Sequence, residues 1–198
     1  FRLDGARSSG WLLIGAAYLV AWPLASLSKE SGLLLPLYCT LLECTVLRSP
    51  QGTGQNRRLR HMHLAWLAAY AGAGIVVLLN FDELVMASYA ARDFTLGERL
   101  LTQPRVLVSY LGQMFVPVQS RMGFFHDDVV VSTGLLSPAT TLPCLLFVLA
   151  LIAAAAGAAR RFPVTAFGVL FFFASHALES TGFGLELMFE HRNYLGAA

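Results

Sequence analysis

Residues 8–47 read SSGWLLIGAAYLVAWPLASLS, then Lys29-Glu30, then SGLLLPLYCTLLECTVL. The first stretch carries no charged residue and the second carries only Glu43. A helix crossing roughly 30 Å of hydrocarbon needs about 17 to 25 largely apolar residues. The passage therefore reads as two spans joined by a polar turn. A cleaved leader fits poorly, because Trp22-Pro23 and Ser28-Lys29-Glu30 lead straight into more apolar sequence with no cleavage-like end.

The same test extends outward. Residues 64–81, 139–159 and 162–178 contain no Asp, Glu, Lys or Arg, so five spans are predicted: 8–28, 31–47, 64–81, 139–159 and 162–178. Across the 198 residues only 13% are charged, against about 25% in an ordinary soluble domain, and 56% are apolar. That composition excludes a soluble globular domain. Disorder, a collagen repeat and a disulfide scaffold are excluded as well: the glycines have no triplet period and there are three cysteines, all within apolar spans, where they read as small core residues. A net charge of +2 gives no electrostatic footprint for nucleic acid. The chain opens on Phe1 rather than Met, which leads us to expect an internal piece of a longer protein.

Within the long segment 82–138, the apolar run 106–115 covers only about 15 Å before Pro117 and is too short to span. Thr95-Leu96-Gly97-Glu98 has capping-box spacing, so a helix is predicted to start there, with Pro104 as a kink. Leu100, Leu107, Tyr110, Leu111, Met114 and Val118 fall near one face; Thr102, Arg105, Ser109 and Gln113 fall on another. This is the pattern of a helix lying in the membrane interface. Charge asymmetry supports leaving this run out of the span count. With five crossings, Arg2, Arg7, Arg48, Arg57, Arg58, Arg60, Arg160 and Arg161 share the inner side, with Asp4 their only acid. A sixth crossing would move Arg160 and Arg161 outside. The predicted fold is thus an all-α polytopic transmembrane bundle of about five spans, with an interfacial or re-entrant helix on the outer face. The Arg57-Arg58-Leu59-Arg60 run reads as an inner topological anchor that can meet anionic lipid. The small residues 153–156 are expected to let helices approach closely.

Several polar residues call for a reason. Lys29, the only lysine, sits with Glu30 at the outer headgroup level: either a snorkelling cation with a turn acid, or a fixed cation facing the phosphate of a membrane lipid. Glu43 lies inside a span, where an acid at mid-depth costs about 2.5 to 3.5 kcal/mol; hydration or protonation near the inner end relieves that cost. The tail after the last span holds Glu179, Gly182, Gly184, Glu186, Glu190, Arg192 and Tyr194. If its end is helical, Glu186 and Glu190 share a face able to hold an Arg or orient a hydroxyl, with the two glycines providing a reversal before it. Ordinary loop ion pairing is the alternative. His126-Asp127-Asp128 could hold a divalent cation, and His176 and Glu179 present two ligand types on one turn, but neither set reaches the three or four ligands of a zinc site. There is no phosphate loop, nucleophile elbow or Cys-x-x-Cys.

Three separated stretches resemble one family. Ser28-Lys29-Glu30-Ser31-Gly32 between two spans is similar to the lysine-glutamate turn of the transmembrane and tetratricopeptide-repeat O-mannosyltransferases and their bacterial relatives. The stretch Ser120-Arg-Met-Gly-Phe-Phe-His126-Asp127-Asp128, with Ser132-Thr-Gly-Leu-Leu after it, resembles the outer loop following their short embedded helix. Glu190-His-Arg192-Asn-Tyr194-Leu195 resembles their motif after a later span and is the most specific of the three. The resemblance implies a GT-C type glycosyltransferase. Its donor would be a polyprenyl-phosphate-linked sugar and its acceptor a protein hydroxyl or a glycan, on the periplasmic face of a bacterial inner membrane. It implies Lys29 and Arg192 at the donor phosphate, with Glu30, Glu190, Glu186 and Tyr194 orienting those cations or the sugar. No cofactor is required, though a divalent cation is compatible. The family's catalytic acid would lie upstream of Phe1, so these residues are not expected to turn over alone. Gly196-Ala197 stand where the family often has Pro-Ser.

The chemistry agrees with the family on its own terms. A lipid-linked phosphate stays in the headgroup plane as it leaves, so cations and interfacial helices must gather at one membrane face. Lys29, the short outer helix and Arg192 are accordingly expected to converge at one depth. Three other readings compete. An O-antigen ligase or polymerase would differ in donor. A transporter would need more ionisable residues at mid-depth than Glu43 and paired inverted halves. A non-catalytic scaffold, with an interaction domain such as tetratricopeptide repeats beyond residue 198, would need neither cation.

Overall fold

The computed structural model describes residues 8–47, 54–117, 129–189 and 193–197. The fold is all-helical, 73% helix, with no strand among the described residues. Among the described residues eight α-helices follow one another: α1 (Ser8–Ser28), α2 (Leu35–Thr45), α3 (Gly54–Leu79), α4 (Phe81–Leu84), α5 (Leu96–Phe115), α6 (Thr141–Ala158), α7 (Pro163–His176) and α8 (Asn193–Gly196), with short 3-10 turns at Glu30–Leu34 and Met86–Tyr89. They form two compact units, Phe1–Gly74 and Ile75–Ala198.

In the first unit, α1 coincides with the predicted first span. The second predicted span is not one helix. Its first residues wind as the 3-10 turn, Pro36 sits in the first turn of α2, and the 11 residues of α2 give only about 16 Å of rise. The turn packs closely on α1, and Gly32 makes that approach possible: a Cβ there would land on the backbone of Ala25 and Ser26. Three aromatics then tie α3 to this pair. Trp66 lies 5.6 Å from the Tyr18 ring and 4.7 Å, edge-on, from Trp22. The carbonyl of Leu33 accepts from both the Trp22 indole at 3.3 Å and the Tyr70 hydroxyl at 2.7 Å. Thr40 Oγ1 donates to Pro36 O at 2.7 Å and meets His63 Nδ1 at 2.9 Å. Glu43 is half-buried on the same helix as Thr40.

In the second unit, α6 packs against α5 and α7, and α8 packs on α7. Val106, Leu107 and Tyr110 of α5, Val148 of α6, Phe172 of α7 and Met188 form the core. Of the small-residue patch on α6 only Ala155 is buried. Nor are the cysteines core residues: Cys39 and Cys144 are half-buried and Cys44 is exposed, all as free thiols.

Among the described residues two helices are long and apolar enough to cross a bilayer, His61–Leu79 within α3 and Thr141–Ala158, while Pro163–His176 is a shorter apolar helix. Only 6% and 17% of the two long windows is buried. A core helix of a soluble protein hides most of its surface; here Leu78 and Leu79 are 70% and 79% exposed. Such a surface asks for an apolar medium around it.

Gly32→Ala should lower the unfolding midpoint of the detergent-solubilised chain by the equivalent of about 1 to 3 kcal/mol, since the backbone of α1 must move to admit the methyl. Gly72→Ala in the interior of α3, with open space around its Cα, is the control and should not lower the midpoint but raise it slightly, by the equivalent of about 0.5 to 1 kcal/mol of helix propensity.

Candidate functional site

The second unit is organised by α5. Its start is the predicted capping box: Thr95 Oγ1 accepts from the Glu98 amide at 3.3 Å, and Glu98 Oε2 accepts from the Thr95 amide at 2.8 Å and its hydroxyl at 2.9 Å. Those bonds to the carboxylate, backbone first, hold Glu98 below its usual pKa. Pro104 lies inside the helix, as predicted, and α5 continues through it.

The faces of α5 differ from the sequence expectation. Arg99, Thr102, Gln103, Val106, Leu107 and Tyr110 are buried, while Leu100 and Met114, assigned to the apolar face, are 48% and 38% exposed. Thr102, assigned to the opposite polar face, has no exposure. The reason is that α5 buries its donors against polypeptide carbonyls. Arg99, fully buried, donates from Nη2 to Glu179 O at 2.6 Å, from Nε to Thr181 O at 3.0 Å, and from Nη1 to Leu185 O and, at 3.2 Å, Glu186 O. Gln103 Nε2, one turn on, donates to Leu187 O at 3.1 Å. Tyr110 Oη donates to Phe189 O at 2.9 Å and accepts from the Phe189 amide at 2.8 Å. Asn193 Nδ2 returns to Tyr110 O at 3.4 Å. Successive donors along α5 thus read successive carbonyls of residues 179–189.

A second grip comes from the 3-10 turn Met86–Tyr89 and the residues after it. Tyr89 Oη donates to Gly182 O, and Arg92 Nε to Gly184 O, each at 2.8 Å; the Gly184 amide donates to Ser88 Oγ at 2.9 Å. Burial pushes the Tyr89 phenol above its ordinary pKa, with Arg99 pulling the other way, so the hydroxyl keeps its proton and donates. The chain bends at residues 181–183, but neither Gly182 nor Gly184 adopts a left-handed backbone, so that bend does not draw on glycine's special conformations. Gly184 is needed for closeness: a Cβ there would lie 2.6 Å from Ser88 O and Oγ. A buried hydroxyl relay fastens the other flank, with Thr102 Oγ1 accepting from the Ser132 amide and Thr141 Oγ1 bonding Ser132 Oγ, both at 2.9 Å. Arg105 Nη1 donates to Val130 O at 2.6 Å.

Lys29 and Glu30 are exposed at the junction of α1 and its 3-10 turn, in the first unit. Glu186 is exposed in an irregular stretch, which corrects the expected helical pairing with Glu190: the carbonyls around it bond to side chains of α5 in place of a helical ladder. Tyr194 is 76% exposed on α8. Glu190 and Arg192, like His126, Asp127 and Asp128, lie outside the described residues, as does Val118. His176 and Glu179 are both buried; His176 Nδ1 is 2.8 Å from Phe172 O, and its ring stacks 5.3 Å from Tyr110. Among the described residues no three His, Cys, Asp or Glu side chains gather into a metal-binding group. A Cβ on Gly196 would lie 2.8 Å from His176 Cε1 and Ser175 Oγ, so α8 can sit against α7 only with glycine there.

Sequence reasoning missed Arg99, Gln103, Tyr89 and Arg92 as organising residues. Arg99, Gln103 and Tyr110 do lie on one stripe interleaved with Val106 and Leu107, and donors placed within an apolar face are the signal that could have found them. No known protein family, curated protein or solved structure matches the chain.

Because Glu98 is held below its unfolded pKa of about 4.3, the capping box contributes fully above that value and is lost as pH falls through the depressed folded value. Hydrogen exchange at the first-turn amides of α5 should quicken on acidification in that window, relative to the amides of α6. Glu98→Gln should remove that pH dependence.

Proposed function

We propose that this chain is the membrane domain of a glycosyltransferase that moves a sugar, mannose or similar, from a polyprenyl-phosphate carrier to a protein hydroxyl or other extracytoplasmic acceptor. In this reading the chain is a polytopic bundle of about five spans with its outer face on the periplasmic side of a bacterial inner membrane. Lys29 and Arg192 bind the donor phosphate. Glu30, Glu190, Glu186 and Tyr194 orient the cations and the sugar, and His126, Asp127 and Asp128 belong to an outer-loop site. The observation that supports it best is the grip on residues 179–189 and Asn193, which flank Glu190-His-Arg192: side chains of α5 hold the polypeptide on both sides of that motif. A loop that only joined helices would not need buried donors aimed at its carbonyls. The exposed Lys29 adds a cation that a ligand can reach.

The chemistry follows from charge. A phosphate that stays tethered to its lipid must be met by cations at the headgroup plane, where the local dielectric is below that of water and pairing is stronger. An arginine fork or a lysine point charge can hold phosphate oxygens as negative charge builds on the leaving group.

Purified chain in lipid nanodiscs should bind a polyprenyl phosphate more tightly than the matching polyprenol. Lys29→Ala and Arg192→Ala should each weaken phosphate binding by about ten-fold or more, leaving polyprenol binding unchanged. Equal affinity of the unmodified chain for phosphate and alcohol would reject the reading, as would two variants that bind like the parent.

A further inference from the structure

The turn that leads into α6 carries a membrane contact of its own: we infer that Leu135 and Leu136, at the tip of the turn Gly134–Ser137, insert into the bilayer at the boundary between lipid headgroups and acyl chains and set the depth at which α6 enters. The inference rests on α6 being a span. It goes beyond the sugar-transfer reading, which gives these two leucines no role.

The central positions of turns are filled mostly by Gly, Pro, Asn, Asp and Ser. Here they are Leu135 and Leu136, 48% and 73% exposed. A loose loop could fold such side chains inward, but this one is held by its backbone. The Ser137 amide donates to Gly134 O at 3.3 Å, and the amides of Thr133 and Gly134 donate to Ser137 O at 3.0 and 3.2 Å. Thr133 Oγ1 donates to Ser137 Oγ at 3.2 Å. Just before the turn, Ser132 has no exposure and is tied to Thr102 of α5 and Thr141 of α6. Backbone groups already bonded within the turn do not call for water, which lowers the cost of seating them in the interface.

One hydrogen bond fixes the level. The Leu142 amide, in the first turn of α6, donates to Leu135 O at 3.0 Å. The tip therefore lies beside the start of the helix, and where α6 enters the bilayer the two leucines are at that same entry. Apolar exposure continues along the chain on both sides: Val130 is 61% exposed, and Leu146, Phe147 and Leu149 are 57%, 50% and 54% exposed. No Asp, Glu, Lys or Arg occurs from residue 129 to residue 159, so the uncharged stretch begins well before the helix does. A protein partner would be met by a polar rim around an apolar centre. An apolar turn that runs without charge into a span fits lipid instead.

The test places nitroxide labels in the chain reconstituted in phospholipid nanodiscs, with Cys39, Cys44 and Cys144 changed to Ala and either Leu136→Cys or Leu149→Cys added. Leu149 lies about 12 Å along α6 from Thr141 and is the deep reference. Collisions of each label with oxygen, which concentrates among acyl chains, are compared with collisions with a neutral water-soluble nickel chelate. The Leu149 label should favour oxygen most strongly, and the Leu136 label should favour it less strongly, at a depth of about 5 to 10 Å into the boundary. Leu135→Cys is the second probe of the tip and decides if circular dichroism shows Leu136→Cys misfolded. With Leu149 in lipid, a tip label that meets the chelate as a site in water does, or one that meets neither reagent because another protein surface covers it, overturns the inference. A Leu149 label in water instead overturns the spanning reading of α6 beneath it.

Discussion

A guanidinium with no exposure to solvent dictates how the second unit is assembled. Arginine keeps its charge at every accessible pH, and moving such a charge out of water costs several kcal/mol even after relaxation. Charge-assisted hydrogen bonds, each contributing about 1.5 to 3 kcal/mol, offset that cost only when good acceptors surround the group. For Arg99 the acceptors come from residues 179–186, beyond the C-terminal end of α7. Helix α5 therefore cannot dock without the tail, and the tail cannot fold back without α5. Gln103 and Tyr110 extend the same dependence along the helix.

The irregular shape of residues 181–189 follows from this. A helix would use its carbonyls internally; here several are given to side chains, so the segment stays irregular while still hydrogen-bonded. The grip of Ser88, Tyr89 and Arg92 at Gly182 and Gly184 adds acceptor and donor partners from a second direction. The first unit works differently. It has few buried polar contacts, and aromatic rings of α1 and α3 with the close approach at Gly32 bring its helices together.

Much of the helical layout was legible from apolar runs: α1 coincides with its predicted bounds, and α6 and α7 fall within theirs. The capping box at Thr95 and Glu98 was legible because its chemistry is local. Long-range matters were not. The stretch 31–47 is divided between a 3-10 turn and α2, with a proline in the first turn of α2, a division that hydropathy does not register. The faces of α5 were misassigned because periodicity ranks residues by polarity, and a polar donor aimed at buried carbonyls behaves as an inward residue. Arg99 looked like one more outer-face cation; its partners are some eighty positions away in sequence. Of the candidate site, Lys29 was legible as an exposed cation at a tight turn, whereas the expected helical pairing at Glu186 assumed regular structure that the α5 contacts forbid.

Gly32 and Gly184 each allow two stretches of main chain to touch where no methyl group would fit. Steric exclusion of that kind outlasts drift in the surrounding apolar residues, which can exchange leucine for valine or phenylalanine at small cost. Together with an arginine at position 99, these two glycines form a sparse fingerprint set by geometry. A divergent homologue that has lost all overall likeness should still keep it.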